Sequence, residues 1–313
     1  MPQNHSPSLP ATGNLWRTEQ LLDLGYGPRA IRSLLDSGAL VRLRYGCYIR
    51  ASLWNAQSAP ARGRQLIFAH AHGTRTTSTG SFLYSHTSAA RLRRLYLWDV
   101  DNTVHLLQKG RPSSERHGRD VRCHTRPFTD DEVTSVGGLR TTTLERTVAD
   151  CATLLNYRQA LILTDHGLRL GADPDVLQAM ADAMEGRRGI RTFRRVLAAA
   201  DSRSESPGET LARDLVLRLK IKRPEPQVEV VTRIGRHRMD LAWKEERVAL
   251  EFDGKTKYFD YKPTAEVLYE ERRREKALNE DGWRFVRVEW KDLFREQEFK
   301  SRILRALAGA PGP

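Results

Sequence analysis

The stretch RMDLAWKEERVALEFDG, Arg238 to Gly254, constrains the fold more than any other. It reads as two strands joined by the polar turn Lys244-Glu245-Glu246-Arg247. Setting Trp243 across from Val248 places Ala242 against Ala249, Leu241 against Leu250, and Asp240 against Glu251. Period-two alternation puts Met239, Leu241, Trp243, Val248, Leu250 and Phe252 on one face. Asp240, Glu251 and Asp253 fall on the other. Opposed side chains in a sheet lie roughly 4.5–5.5 Å apart at Cβ, and like charges there are destabilising. Two carboxylates so placed need something to offset their repulsion, and a slip of one residue would undo the pairing.

The surrounding pattern is a helix (PGETLARDLVLRLKI), three strands (QVEVVT, RMDLAW, VALEFD), a charged helix over about 264–280, the strand WRFVRVEW and a final helix. This is the order of a compact α/β domain. Hard carboxylate oxygens suit Mg²⁺ or Mn²⁺. Such an ion would relieve the repulsion, lower the pKa of a bound water and polarise a phosphodiester. The plain alternative is a solvated acidic face. Asp253 would face Arg238, an ordinary surface ion pair. Ser206 and Glu209, around Pro207, have capping-box spacing with proline at the first helical position. Arg272, Arg273 and Arg274 with Lys276 suit phosphate contacts, or form a solvated helix face balanced by Glu270, Glu271 and Glu275. Lys255 and Lys257 follow the acidic strand, and an ammonium beside a metal can neutralise charge developing on a phosphate.

Charge selects the partner. The 313 residues carry 52 Lys and Arg against 39 Asp and Glu, a net +13, with a pI near 9.9. Such a field favours polyanions or anionic membrane. No apolar run approaches the roughly 20 residues of a membrane span, and the mean hydropathy is −0.57. Nucleic acid, double-stranded DNA above all, is therefore the expected partner, and no membrane is. The lead MPQNHSPSLPATGN lacks the apolar core of a signal peptide and is expected to be disordered over 1–13, as is the tail 308–313. Cys47, Cys123 and Cys151 are too widely spaced for a disulfide framework or a zinc motif. No metal is expected at His117, Cys123 and His124, and a reducing cytoplasm is the expected setting.

Residues 14–55 predict a winged helix-turn-helix. Thr18 caps a short helix to Leu24. Gly25-Tyr26-Gly27 turns, and Pro28 opens a second helix ending before Gly38. The strands LVRLR and CYIR then form a wing around Tyr45-Gly46. The second helix of such a module enters the major groove, which makes Arg29 and Arg32 its exposed bases and Arg42 and Arg44 those of the wing. A small scaffold with a solvated basic face is the alternative. Residues 56–200 predict a mixed α/β middle domain. It holds a strand feeding a helix in FLYSHTSAARLRRL, strands TVHLLQ and RDVRCHTRP, and a helix after TTT with Thr142 and Glu145 as a capping box. Two more helices and a basic amphipathic one, GIRTFRRVLAAAD, follow. Ser85, His86, Asp150 and Asp165 show no triad spacing and read as caps or polar core contacts. Residues 201–207 read as a linker, and 208–307 as the C-terminal domain.

Two resemblances attach to these segments. ESPGETLARDLV, RMDLAW, VALEFDGKTKY and RRREKALNEDGWRFVRV together resemble a very-short-patch-repair-endonuclease-like domain of the PD-(D/E)xK, or restriction-endonuclease-like, superfamily. The resemblance spans roughly 204–293. It implies Asp240 and Glu251 as metal ligands and Glu209 as a supporting acid; Asp253, on the same acidic face, is a further candidate ligand from the residue pattern alone. The superfamily proline before the aspartate is Met239 here, and the lysine two after the glutamate is Asp253. A catalytic lysine would have to have moved, with Lys257 preferred over Lys255. LLDLGYGPRAIRSLLDSGALVRLRYGCYI, SHTSAARL and TTTLERTVAD are similar to AbiEi-type antitoxins, over about 14–168. That similarity implies operator binding, autorepression and a cognate toxin, and symmetric operators imply a homodimer. The expectation is thus a multidomain α+β protein that binds DNA and carries a Mg²⁺-dependent endonuclease domain. The alternative is a repressor or antitoxin whose nuclease-like domain is inactive.

Overall fold

The computed structural model describes residues 9–10, 13–73, 82–110, 120–254 and 265–309, without the side chains of 265–268. Lys255, Lys257 and most of the two expected tails lie outside the described residues. The chain divides into two compact units, Met1–Leu154 and Leu155–Pro313. Among the described residues they hold twelve α-helices, one antiparallel sheet and two mixed sheets, so the protein is multidomain α+β. No described helix is long and apolar enough to cross a membrane.

The first unit opens with β1 (Leu15–Arg17), α1 (Thr18–Asp23), α2 (Pro28–Asp36), β2 (Leu40–Arg44) and β3 (Cys47–Arg50). The strands form a three-stranded antiparallel sheet, β1-β3-β2. Pro28 starts α2, whose Ile31 and Leu34 turn inward onto Trp16, Leu21, Leu40 and Tyr48. Leu9, within the expected lead, packs on the same cluster, and the Pro10 carbonyl accepts from Arg50 at 2.7 Å. Arg17, not Thr18, is the N-cap of α1, because Gln20 Oε1 accepts from the Arg17 backbone N–H at 2.9 Å.

Helices α3 (Ala51–Asn55) and α4 (Ala59–Gly73) lead to β4 (Leu83–Tyr84), α5 (His86–Leu92), β5 (Val104–Gln108), β6 (Val121–Thr125), β7 (Val133–Val136), β8 (Leu139–Thr142) and α6 (Leu144–Leu154). The sheet order is β6-β5-β4-β8-β7. Each residue of α5 is buried. Thr142 ends β8 rather than capping α6; Thr143 Oγ1 takes that place, accepting from the Arg146 N–H at 3.4 Å. Arg146 is itself buried between Glu132, at 2.7 Å, and Asp150, at 3.1 Å.

The second unit begins with α7 (Tyr157–Arg169), α8 (Pro174–Ala183), α9 (Ile190–Ala199) and α10 (Pro207–Arg218). The stretch 201–207, expected as a linker, lies inside this unit. The buried Asp165 carboxylate on α7 holds it, accepting from the Asp201 N–H at 2.8 Å, Thr210 Oγ1 at 2.8 Å and Arg213 at 2.7 Å. Breaking a buried pair of this kind strands a charge, which ties α7 to α10 and the turn between α9 and α10.

A mixed sheet follows: β9 (Glu225–Thr232), β10 (Gly235–Trp243) and β11 (Val248–Phe252). Next come α11 (Ala265–Glu280), β12 (Arg284–Val288) and α12 (Glu296–Leu307). The sheet order is β12-β11-β10-β9. The hairpin register is as the sequence predicts, with Trp243 against Val248, Ala242 against Ala249 and Leu241 against Leu250. Helix α11 carries the chain back so that β12 lies parallel to β11. Gly282, at φ +83°, ends α11 in the left-handed conformation that favours glycine. The sheet does not have one wet acidic face: Leu278 and Trp283 pack in one cluster with Ala242, Ala249 and Met239.

Candidate functional site

Three elements deliver the candidate carboxylates: α10 carries Glu209, β10 carries Asp240 and β11 carries Glu251. One step beyond Leu241 and Leu250, where the register would set Asp240 against Glu251, no further ladder pair forms. Instead Asp240 Oδ2 accepts from the Phe252 backbone N–H at 2.9 Å. The aspartate therefore serves the backbone of the strand it faces, which fixes its side chain beside β11. Phe252 is fixed in turn by α10. A Cβ on Gly208 would lie 2.0 Å from Phe252 Cε1, so only glycine allows this approach.

Glu209 sits in the first turn of α10. Ser206 Oγ accepts from its backbone N–H at 3.2 Å, the half of the capping box that the sequence predicts. The Glu209 carboxylate does not close the box on Ser206. Its Oε2 accepts from the Glu205 N–H at 2.8 Å and from Gln227 Nε2 at 2.9 Å. Gln227 is held with φ +53°, unusual for a residue with a side chain. Burial, and then the negative charge of Asp240, push the Glu209 carboxyl up to about 7. Asp240 and Glu251 are also raised, each first by burial, and Glu251 further by Asp240. The three acids are thus an electrostatically linked, desolvated set, the condition in which a carboxylate is most sensitive to a nearby cation.

The cation present is Arg274 of α11. Its guanidinium donates to Glu251 Oε1 at 2.6 Å and to the Arg238 carbonyl at 2.8 Å. It is half-buried, and it lowers the Glu251 and Asp240 carboxyls against the effect of burial. Arg272, Arg273 and Arg274 do not share one face. Arg272 and Arg273 are exposed, and Arg273 lies 3.6 Å from Glu270. The three cannot act together as one phosphate clamp, because a helix turns about 100° per residue. Arg238 pairs with Glu205 at 2.6 Å, while the Asp253 N–H donates to the Val288 carbonyl at 2.8 Å.

In the first unit, Arg29 and Arg32 lie exposed on α2, and Arg32 pairs with Asp36 at 3.1 Å. Arg42 is exposed, its guanidinium 6.0 Å from the ring centroid of Tyr45. Tyr45 is 94% exposed at the tip of the hairpin. Arg44 does not join them. It turns inward and pairs with Asp120.

The sequence reading missed a second cluster. His86, His105 and His124 bring one ligand nitrogen each to within 4.8 Å of one another. Ser85 is buried beside them, its Oγ hydrogen-bonded to His86 Nδ1 at 2.9 Å. Asp150 and Asp165 are buried polar contacts, as expected, ion-paired with Arg146 and Arg213.

Over 282 residues the chain is 30% identical to "Uncharacterized protein Rv2248" of Mycobacterium tuberculosis, covering 87% of this chain and 94% of that protein. This chain belongs to the same family. The same figures hold for "Uncharacterized protein MT2308" from another strain of that organism. The match reaches into both units described here. No family model matches the chain. A crystal structure of the RV2827C protein from Mycobacterium tuberculosis shares 18% identity, covers 70% of this chain and 80% of its own, and has a TM-score of 0.39.

Proposed function

We propose that the second unit is a metal-dependent endodeoxyribonuclease and that the first binds duplex DNA through α2 and the β2–β3 hairpin, as a winged helix-turn-helix. The observation that carries this reading is the electrostatically linked set Glu209, Asp240 and Glu251, three partly desolvated acids delivered by α10, β10 and β11. The donor set suits a hard divalent ion. The described bonds engage Oδ2 of Asp240, Oε1 of Glu251 and Oε2 of Glu209, one oxygen of each carboxylate. Asp240 and Glu251 would hold Mg²⁺ or Mn²⁺, with Asp253 a further ligand, and a bound ion would supply Lewis acidity toward a phosphodiester and a more acidic water. Glu209 holds a proton near neutral pH and gives it up as positive charge enters the site. Lys257 remains the proposed phosphate-stabilising cation. Arg29, Arg32 and Arg42 are the exposed cations for phosphate contact, and Arg272 and Arg273 would extend that contact on α11. The protein would work in the cytoplasm.

Nicking of supercoiled plasmid with Mg²⁺ or Mn²⁺ tests the reading. Cleavage that disappears in Asp240→Ala while a gel shift persists supports it; cleavage unchanged in that variant refutes the assignment. A second reading is favoured by one observation, the Arg274 guanidinium seated on Glu251, where it competes with a metal ion. On that reading the second unit is inactive and the protein is a repressor or antitoxin, acting as a homodimer on its own operator with a toxin as partner. DNA binding to its upstream region without cleavage under several divalent ions selects this alternative.

A further inference from the structure

The histidine cluster of the first unit is independent of the carboxylate site and belongs to a different chemistry. Two neighbouring strands and a helix start build it: His105 lies in β5, His124 in β6, and His86 opens α5, one residue after β4 ends. His86 is 1% exposed and His105 4% exposed, while His124 is half-buried and gives the cluster its opening to solvent. His105 Nδ1 and His124 Nε2 are 2.8 Å apart, sharing one proton between two nitrogens. The His86 ring stacks on His124 at 3.8 Å between centroids. His86 also holds φ at +48° at the first position of α5. A side-chain-bearing residue kept in the left-handed region is strained, and such strain gathers at functional positions.

We propose that His86, His105 and His124 form a site for a borderline divalent transition ion, with Zn²⁺ the best fit, bound by three imidazoles and leaving a fourth position for water or an anion. Zinc–nitrogen bonds of about 2.0–2.1 Å in a tetrahedral site put ligand nitrogens roughly 3.4 Å apart. The cluster brackets that spacing, from the 2.8 Å contact to the 4.8 Å limit. The ion would take the place of the proton shared by His105 and His124, which moves to the other ring nitrogen of the histidine that carried it. The planes of His86 and His124 are tilted by only 17°, so His86 must turn about its soft Cβ–Cγ torsion to aim its lone pair inward. Ser85 Oγ on Nδ1 leaves Nε2 of His86 as the ligand atom, the kind of outer hydrogen bond that orients a metal-bound imidazole.

Burial also keeps the imidazoles uncharged at neutral pH. His86 is held well below the usual histidine range, and His105 and His124 are lowered to about 4. The charges felt by the cluster are those of Arg91, Arg122, Arg126 and Arg146, against the single carboxylate of Asp101. This positive surround disfavours a bare cation and favours an anion, such as hydroxide or a phosphate oxygen, in the fourth position. It also argues for nitrogen-seeking ions over Mg²⁺, which takes oxygen ligands.

Titrating the metal-free full-length chain with Co²⁺ tests the proposal. One equivalent should bind with visible d–d absorption and be displaced by Zn²⁺. Affinity should fall at least about 10-fold in His124→Asn and His105→Asn, and stay unchanged in His237→Ala. If either cluster variant fails to fold, Cu²⁺ bound to the unaltered chain decides, through nitrogen hyperfine splitting in its electron paramagnetic resonance spectrum. Absence of stoichiometric uptake, or uptake indifferent to both cluster variants, overturns the site and leaves a stacked polar core. Neither result bears on plasmid nicking, so this proposal and the nuclease reading fail separately.

Discussion

The histidine cluster of the first unit and the carboxylate cluster of the second are built alike and behave oppositely. Each draws three like groups from three elements and withdraws them in part from water. Imidazoles escape the cost of burial by losing their protons, carboxylates by keeping theirs. His105 and His124 are lowered to about 4, while Glu209 is raised to about 7. Near neutral pH the first cluster is therefore a set of neutral nitrogen donors, and in the second Glu209 is still partly protonated. On the two proposals made above, the same physical operation on two residue types would give two metal preferences.

The largest expected effect breaks the comparison at the carboxylates. Glu251→Gln should lower metal-dependent nicking more than about 100-fold, since removing even the outer partners of a metal ligand costs 10- to 100-fold. Initial rates on supercoiled plasmid, with binding checked by gel shift, give the measurement. An undiminished rate removes Glu251 from the site.

Next in size is the pH dependence of the second unit. Between pH 4.5 and about 7 the folded Glu209 holds a proton that the unfolded chain releases. Stability therefore falls as pH rises through that window and stays low above it. Glu209→Gln keeps an oxygen for the Glu205 and Gln227 donors and removes the charge. It should raise stability at pH 8 by up to about 3 kcal/mol and leave pH 4 little changed, as read by urea unfolding at the two values. Equal gains at both pH values would mean the carboxylate is not ionising in a dry site.

The first unit should show the reverse slope, more weakly for any one residue because the histidines are coupled. Unfolded imidazoles take up protons below about 6.5, while folded His105 resists until about 4. Stability is complete above pH 6.5 and is lost as pH falls toward 4. His105→Asn should flatten this acid loss by about 1 kcal/mol, measured as the melting temperature across pH 4–7. A slope identical to that of the unaltered chain places the acid sensitivity elsewhere.

The two clusters also differ in how far they can be read from sequence. The carboxylates are local: Trp243 and Val248 around a four-residue turn set the register, and period two does the rest. What local pattern could not supply was the Asp240 bond to the Phe252 N–H, which takes the place of a further ladder pair. Nor could it show the spread of Arg272, Arg273 and Arg274 around α11, or the inward turn of Arg44 to Asp120. Thr142 and Thr143 are equally good caps in sequence, and only the end of β8 decides between them. The histidines carry no local signal. His86, His105 and His124 are each 19 positions apart, and they meet only because β4, β5 and β6 are neighbours in the sheet.

The smallest expected effect is the most discriminating. Arg274 bonds Glu251 Oε1 and the Arg238 carbonyl, with 34% of its side chain exposed. If it stands in for a cation that the carboxylates otherwise bind, Arg274→Gln leaves Glu251 without its guanidinium partner. Its carboxyl then rises further, since Arg274 is the main charge lowering it. Mg²⁺ must then displace a proton rather than an arginine. At pH 8 half-saturation by Mg²⁺ should move to a few-fold lower concentration, and at pH 6 the gain should be smaller. If Arg274 is architectural, the variant loses about 1 kcal/mol, and its metal response is unchanged at both pH values. The pH dependence of the shift, rather than its size, separates an arginine that occupies a metal position from one that only fastens α11 to the sheet.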